Sequence, residues 1–204
     1  MKLELLHQPD SAIAKVHMDP QEELQAEAGA MVAMSSDINV STTLRKGKGG
    51  GVLGGLKRMV AGESLFISVF RSGNSAAELY IAPKLMGDIL PYTLSGTELV
   101  IQSTSYLAST PGVQVDLGFT GFKSFLSGES VFWLTANGSG LVILNAFGSI
   151  YEIDVDGDYV VDTGHIVAFE RTLDYDITKA NKSWAGAFFS GEGFVCQFRG
   201  RGKV

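Results

Sequence analysis

The sequence predicts an all-β fold in which three repeated β-units form one body. Short runs rich in β-branched and aromatic residues recur at regular spacing, separated by turns that contain glycine or asparagine. A Gly-Glu phrase returns three times, at positions 62, 128 and 191, about 65 residues apart. No amphipathic helical pattern of about ten or more residues appears, so the crossover helices of a parallel sheet are not expected. We therefore expect a β-sandwich-like or double-stranded β-helix architecture.

A second phrase precedes each Gly-Glu phrase and supports the repeat. Its copies are Gln25–Ala33, Val100–Ala108 and Val160–Ala168. Internal repetition at this interval predicts a single domain over residues 1–204 with three units, at roughly 22–82, 96–148 and 156–200. The first copy, within Glu22–Met34, is rich in alanine and glutamate, but its sister copies favour a strand there.

Composition excludes several classes of protein. The 204 residues are 45% hydrophobic and 19% charged, with a net charge of −6, which is typical of a globular domain and disfavours nucleic acid as the main partner. No segment has the length of a signal peptide core or a membrane span, so we expect a cytoplasmic protein. The single cysteine, Cys196, excludes an intramolecular disulfide framework and is expected to be an inert buried thiol.

Turn residues predict the local connections. Gln8–Ser11 is expected to separate two short strands, and Asn137-Gly138 to form the turn of a β-hairpin. Asp154–Asp158 resembles a calcium loop, but Tyr159 and His165 stand where an EF-hand needs glycine and glutamate. We interpret it as a hairpin tip centred on Asp156-Gly157.

Two later segments are predicted to lack strand structure. Asp174–Lys182 is polar and is expected to be a loop, and Arg199–Lys203 is expected to be a short basic tail. The run from Phe188 to Phe198 between them is expected to be the last strand region.

Positive charge concentrates around the glycine-rich stretch 47–55. It could contact an anion or an acidic partner, or it could simply be a solvated loop. The basic residues concerned are Arg45, Lys46, Lys48, Lys57 and Arg58. A nucleotide-binding P-loop is not expected, because Leu56 stands where that motif requires lysine.

The carboxylates of the repeated phrase, Glu63, Glu129 and Glu192, are expected to be structural. Each could accept backbone N–H groups in a tight turn, or the three could form a ring around a pseudo-threefold axis. The aromatic residues that follow them, at positions 66, 132 and 194, are expected to lie in the core.

No arrangement typical of catalysis is visible. His7, His17 and His165 fall in different parts of the chain, and none has the spacing of a metal-binding pair. No Gly-x-Ser-x-Gly nucleophile elbow is present. The sequence therefore predicts no metal, no cofactor and no enzymatic activity.

Three stretches together resemble the altered-inheritance-of-mitochondria family, a mitochondrial biogenesis family with uncharacterised bacterial members. They are Glu-Ala-Gly-Ala-Met-Val-Ala (27–33), Gly-Leu-Lys-Arg-Met-Val-Ala-Gly-Glu-Ser-Leu-Phe (55–66) and Gly-Glu-Gly-Phe-Val-Cys-Gln-Phe-Arg-Gly (191–200). The resemblance covers nearly the whole chain. It implies an all-β fold similar to the tryptophan RNA-binding attenuation protein, with that motif duplicated in each chain, and oligomers as a common state. It supplies no catalytic residues, and the mitochondrial members lie at the inner membrane. Because the chain has no presequence, a bacterial cytoplasmic member is expected.

The leading hypothesis is a non-enzymatic β-scaffold that self-associates, with a trimer as the expected state, and presents loops to a protein or membrane partner. A small-ligand binding module with a pocket between β-units is the alternative. RNA binding by analogy with the fold is a weaker one, because the acidic charge opposes it.

Overall fold

The structure is a computed structural model that describes residues 1–45, 65–117, 133–179 and 194–204. These residues form antiparallel strands, with two 3-10 turns at Ser103–Ser105 and Thr163–His165 and no α-helix. The strands are β1 (Lys2–Leu6), β2 (Ile13–Met18), β3 (Glu23–Glu27), β4 (Met31–Met34), β5 (Asn39–Arg45), β6 (Leu65–Arg71), β7 (Ala77–Ile81), β8 (Ile89–Ser95), β9 (Leu99–Gln102), β10 (Tyr106–Ser109), β11 (Val113–Leu117), β12 (Trp133–Asn145), β13 (Asp154–Asp162), β14 (Ala168–Glu170), β15 (Asp174–Lys179) and β16 (Phe194–Lys203). The predicted all-β fold is confirmed.

The strands form three sheets. The first has the order β1-β2-β7-β4, and the third has the order β13-β16-β15. The second sheet has nine strands in the order β14-β9-β12-β10-β3-β6-β5, with β8 and β11 also pairing with β12. Strands β2, β3 and β7 alternate between buried and half-buried residues, the pattern of a sheet that covers a core with one face.

The hairpin predicted at Asn137-Gly138 is wrong, because β12 runs through that dipeptide as a continuous strand of 13 residues. Gly138 has a φ of +105° and pairs with Val113, and a Cβ on it would approach the Gly112 carbonyl oxygen to 2.3 Å. Glycine is needed there for close backbone approach within a strand rather than for a turn. The two halves of β12 pair with different strands: residues 133–136 pair with β9, and residues 139–145 pair with β8.

The third sheet corrects three further expectations. Asp156-Gly157 is not a hairpin tip, because β13 runs through it and Gly157 pairs with Gly200. The segment from Asp174 to Lys179 is strand β15 rather than a loop, and the expected basic tail is part of β16. In both cases charged side chains on the exposed face of a sheet have the composition of a loop.

The basic residues of β16 lie opposite acids of β13. Arg201 Nε lies 2.9 Å from Asp156 Oδ1, Arg199 Nε lies 3.4 Å from Asp158 Oδ1, and Lys203 Nζ lies 3.3 Å from Asp154 Oδ1. Exposed pairs of this kind contribute ~0–1 kcal/mol each. Their main consequence is that the basic residues of this stretch already have acidic partners within the chain.

Within the described ranges, buried apolar residues form three clusters, and each cluster combines residues that are distant in sequence. The first lies between the four-stranded sheet and β3, the second surrounds β12, and the third includes Trp133, Phe169 and Phe198. Glu170 links the second and third sheets, because it accepts hydrogen bonds from the Tyr92 hydroxyl at 2.6 Å and the Lys203 N–H at 3.0 Å. Burial and this contact with Glu170 raise the pKa of Tyr92 above its usual range.

The Gly-Glu phrases themselves fall within residues 46–64, 118–132 and 180–193, outside the described residues. Each of these intervals is flanked by two strands that pair with each other: β5 with β6, β11 with β12, and β15 with β16. The three-unit repeat and its boundaries stay predictions.

Candidate functional site

Four large apolar side chains project from two neighbouring loops and form a surface that we call the apolar tip. Leu85 and Met86 precede β8, and Phe147 and Tyr151 follow β12; their exposures range from 64 to 83%. Exposed apolar residues of this size on neighbouring loops mark candidate interaction sites in soluble proteins.

The Asp88 carboxylate connects the two loops through hydrogen bonds. Its Oδ1 accepts hydrogen bonds from the Ile89 N–H at 2.9 Å and from Gln8 Nε2 at 3.0 Å. Its Oδ2 accepts a longer one from the Ile150 N–H at 3.5 Å. Charge-assisted hydrogen bonds from three separate segments hold the base of the apolar tip in one geometry.

Backbone contacts at two glycines complete this base. Gly87 and Gly148 form an isolated β-bridge, and the Asp88 N–H donates to the Gly148 carbonyl at 2.9 Å. A Cβ on Gly87 would lie 1.8 Å from the Ala146 carbonyl oxygen, so only glycine fits. Because Met86 and Phe147 directly precede the bridged glycines, the bridge brings their two chain segments side by side.

The charged residues beside the apolar tip are paired with each other. Lys84 Nζ lies 2.6 Å from Glu27 Oε1, and Lys203 Nζ forms an ion pair with Glu152, which follows Tyr151. The charged residues around the apolar tip therefore neutralise one another, and they do not give this surface a strong positive or negative potential. An apolar target suits this surface better than a strongly charged one.

Most sequence-predicted site residues lie outside the described residues. These are Lys46, Lys48, Lys57 and Arg58 of the basic stretch and the carboxylates Glu63, Glu129 and Glu192. Arg45 ends β5, where its backbone pairs with Leu65. The anion-contact and structural roles of these residues stay predictions.

The expectation of a core role for Phe66 is wrong, because it is exposed on β6. Its neighbouring strand β5 is the last of its sheet among the described strands. Phe194 is half-buried at the start of β16, and Phe132 lies outside the described residues.

Sequence reasoning missed the apolar tip. It assigned no role to any of the four residues. A usable signal was present, since Met86-Gly87 and Phe147-Gly148 each place a large apolar residue before a glycine in a loop. The pairing of these two loops is a long-range contact that no local pattern reports.

Among the residues that the structure describes, no three His, Cys, Asp and Glu side chains are grouped to hold a metal ion. His17 lies on the outer face of the first sheet, with ring nitrogens 3.3 Å from Glu4 Oε2 and 3.5 Å from Glu78 Oε1. Within the described ranges, no helix is long and apolar enough to cross a membrane.

Cys196 is buried in the third cluster, as predicted. Burial, with a smaller contribution from Asp176, raises the pKa of its thiol to about 12. A raised thiol pKa keeps the neutral form, not the nucleophilic thiolate, dominant at neutral and mildly basic pH.

We therefore expect iodoacetamide at pH 8 to alkylate the folded protein about 1,000-fold more slowly than the urea-unfolded chain. Because the chain has one cysteine, the adduct mass measured over time reports this site alone. Comparable rates in the folded and unfolded states would contradict the inert role.

The comparisons with known proteins agree with this architecture. The family described as mitochondrial biogenesis AIM24 matches residues 3–204. An uncharacterized protein of Streptococcus pyogenes serotype M6 is 30% identical over 198 residues, covering 94% of this chain and 79% of that protein. A crystal structure of another S. pyogenes protein superposes with a TM-score of 0.78 at 28% identity, covering 100% of this chain and 91% of that one. The chain therefore belongs to the mitochondrial biogenesis AIM24 family.

Proposed function

We propose that this protein is a non-enzymatic β-scaffold that self-associates and presents the apolar tip to a protein or membrane partner in the bacterial cytoplasm. The observation that carries the proposal is the apolar tip itself: four exposed side chains on loops that are fixed by Asp88. We expect a trimer. Native mass spectrometry tests this, because the mass of the assembly divided by the 21.8 kDa mass of one chain gives the number of copies.

Rigidity is the first support for a binding role. A flexible loop loses conformational entropy when it binds, whereas a loop already held in one geometry loses less and so binds more tightly. The carboxylate of Asp88 and the Gly87–Gly148 bridge supply this preorganisation. Exposed loops without a binding role have no need of such fixed apolar side chains.

The chemistry of the side chains is the second support. Methionine, phenylalanine and tyrosine are enriched at protein interfaces, and tyrosine also suits a boundary between apolar and aqueous surroundings. Both an apolar socket in a protein and the outer part of a bilayer would accept them. Against RNA, the cations of β16 are matched by aspartates of β13.

Flotation with vesicles tests whether the apolar tip binds a membrane. We expect the double variant Met86→Lys/Phe147→Lys to reduce the fraction bound to phosphatidylcholine vesicles at least about tenfold, because each change places a charge in the apolar contact. The matched control is Tyr159→Lys/Val160→Lys, which alters exposed apolar residues of β13 and should bind like the wild type. Vesicles with added phosphatidylglycerol separate apolar insertion from attraction by charge.

The same variants test whether the partner of the apolar tip is a protein. Affinity capture followed by mass spectrometry should recover a protein with the wild type and the β13 control, but not with the Met86→Lys/Phe147→Lys variant. If the wild type binds neither vesicle and captures the same proteins as the double variant, the apolar tip has no binding role.

A further inference from the structure

Met86 carries the most solvent-exposed side chain of the methionines that the structure describes. Its exposure is 73%, whereas Met31 and Met34 are 42% and 37% exposed, and Met18 is 1% exposed within the first apolar cluster. Met59 lies outside the described residues. Oxidation of a thioether requires contact between the sulfur and the oxidant, so Met86 is the described methionine that is best placed to react.

The thiol of the chain is protected from the same chemistry. Cys196 is fully buried in the third cluster, and burial raises the pKa of its thiol. A peroxide oxidises cysteine through the thiolate, whereas a methionine thioether reacts in its neutral form and needs no deprotonation. We therefore expect a peroxide to react with Met86 before it reacts with Cys196.

Met86 also occupies a fixed place in the apolar tip. It directly precedes Gly87, which is bridged to Gly148 and leaves no room for a Cβ beside the Ala146 carbonyl oxygen. This bridge keeps the backbone of Met86 beside the segment that carries Phe147. A change in the polarity of the Met86 side chain therefore changes the surface that the apolar tip presents to a partner.

We propose that Met86 is an oxidation site at which a peroxide weakens binding by the apolar tip, an inference that rests on the proposed function. With hydrogen peroxide, the sulfur lone pair attacks one oxygen and the O–O bond breaks. That oxygen stays on the sulfur as a sulfoxide, and its proton moves to the leaving hydroxide, which becomes water. The sulfur loses two electrons and the peroxide gains them.

The sulfoxide weakens an apolar contact because its oxygen is a strong hydrogen-bond acceptor. Water satisfies that oxygen in the free protein, but an apolar partner cannot, so the cost of burial appears only on binding. The fold is unaffected, since the Met86 side chain lies mostly in solvent. Methionine sulfoxide reductases reverse the change, with two thiols supplying the electrons and the sulfoxide oxygen leaving as water. Oxidation at this position therefore changes binding without changing folding, and the change is reversible.

Timed exposure to hydrogen peroxide, followed by peptide mass spectrometry, measures which methionines react. In the folded protein we expect Met86 to gain one oxygen first, and Met18 to react at least about tenfold more slowly because it must wait for the core to open. In urea the two should react at similar rates. Equal rates in the folded protein would contradict the role of exposure.

Binding measured after oxidation tests the consequence. Peroxide-treated wild type should bind phosphatidylcholine vesicles, or the protein recovered by affinity capture, at least about tenfold more weakly. Met86→Leu keeps an apolar side chain of similar size without the sulfur, so it should bind like untreated wild type before and after peroxide. Met34→Leu is the matched control: it retains Met86 and should lose binding on treatment as the wild type does. Methionine sulfoxide reductases with a thiol should restore binding by the wild type.

The possible failures of the two proposals differ. Absence of sulfoxide at Met86, wild-type binding that is unchanged after the sulfoxide has formed, or loss of binding by treated Met86→Leu would overturn the oxidation proposal alone. A wild type that binds neither vesicles nor a protein before treatment would remove the binding role of the apolar tip and the oxidation proposal with it. Urea unfolding of the treated wild type should give the same free energy of unfolding as before, and a large decrease would show that oxidation acts on the fold instead.

Discussion

Replacing Phe169 with alanine is expected to lower the free energy of unfolding by about 4 kcal/mol. Phe169 is 1% exposed, and its ring centroid lies 5.0 Å from that of Phe198, 5.2 Å from that of Tyr175 and 6.0 Å from that of Trp133. The substitution removes these aromatic contacts and leaves a cavity, because surrounding strands relax only in part.

Urea unfolding followed by tryptophan fluorescence measures this loss. The matched control is Phe147→Ala, the same substitution at a ring that is 80% exposed, which should change the free energy of unfolding by less than ~0.5 kcal/mol. Equal effects at the two positions would show that the third cluster contributes little to stability.

Strands that pack one face against the core could be predicted from sequence, because their apolar and polar residues alternate. The two short strands expected on either side of Gln8–Ser11 are confirmed as β1 and β2, which flank clear turn residues. The stretch Glu22–Met34 was assigned as strand but divides into β3 and β4, which belong to different sheets. Gly29, with a φ of +90°, makes the change of sheet possible.

The errors have one common physical cause. Glycine in Asn137-Gly138 and Asp156-Gly157 suits a tight turn, but it also suits a strand whose backbone approaches another closely or bends. The charges of Asp174–Lys179 suit a loop, but they also suit the solvent face of a sheet. Only the pairing partner, which is distant in sequence, decides between these outcomes.

The candidate site was harder to predict than the fold for the same reason. Asp88 holds the apolar tip through Gln8 and Ile150, which are separated from it by 80 and 62 positions. The dipeptides Met86-Gly87 and Phe147-Gly148 are visible in the sequence, but nothing local shows that their two loops pair.

The second large effect is expected at Gly87. Replacing Gly87 with alanine should lower the free energy of unfolding by about 3 kcal/mol, because its Cβ would lie 1.8 Å from the Ala146 carbonyl oxygen and 2.8 Å from the Gly148 nitrogen. Both obstructing atoms belong to the backbone of the neighbouring loop, so no side chain can rotate away. The two loops must separate, which weakens the bridge beneath the apolar tip.

Gly148→Ala is the matched control on the other side of the same bridge. Its φ of +82° imposes strain of about 1–2 kcal/mol on alanine, but no atom lies within 4 Å of the added Cβ. We therefore expect urea unfolding to rank the variants as wild type, Gly148→Ala and Gly87→Ala in order of decreasing stability. Gly87→Ala should also reduce binding by the apolar tip, because Met86 loses its fixed position relative to Phe147. A Gly87→Ala protein as stable as Gly148→Ala would mean that the two loops adapt to one another, and the preorganisation on which the binding role depends would then be absent.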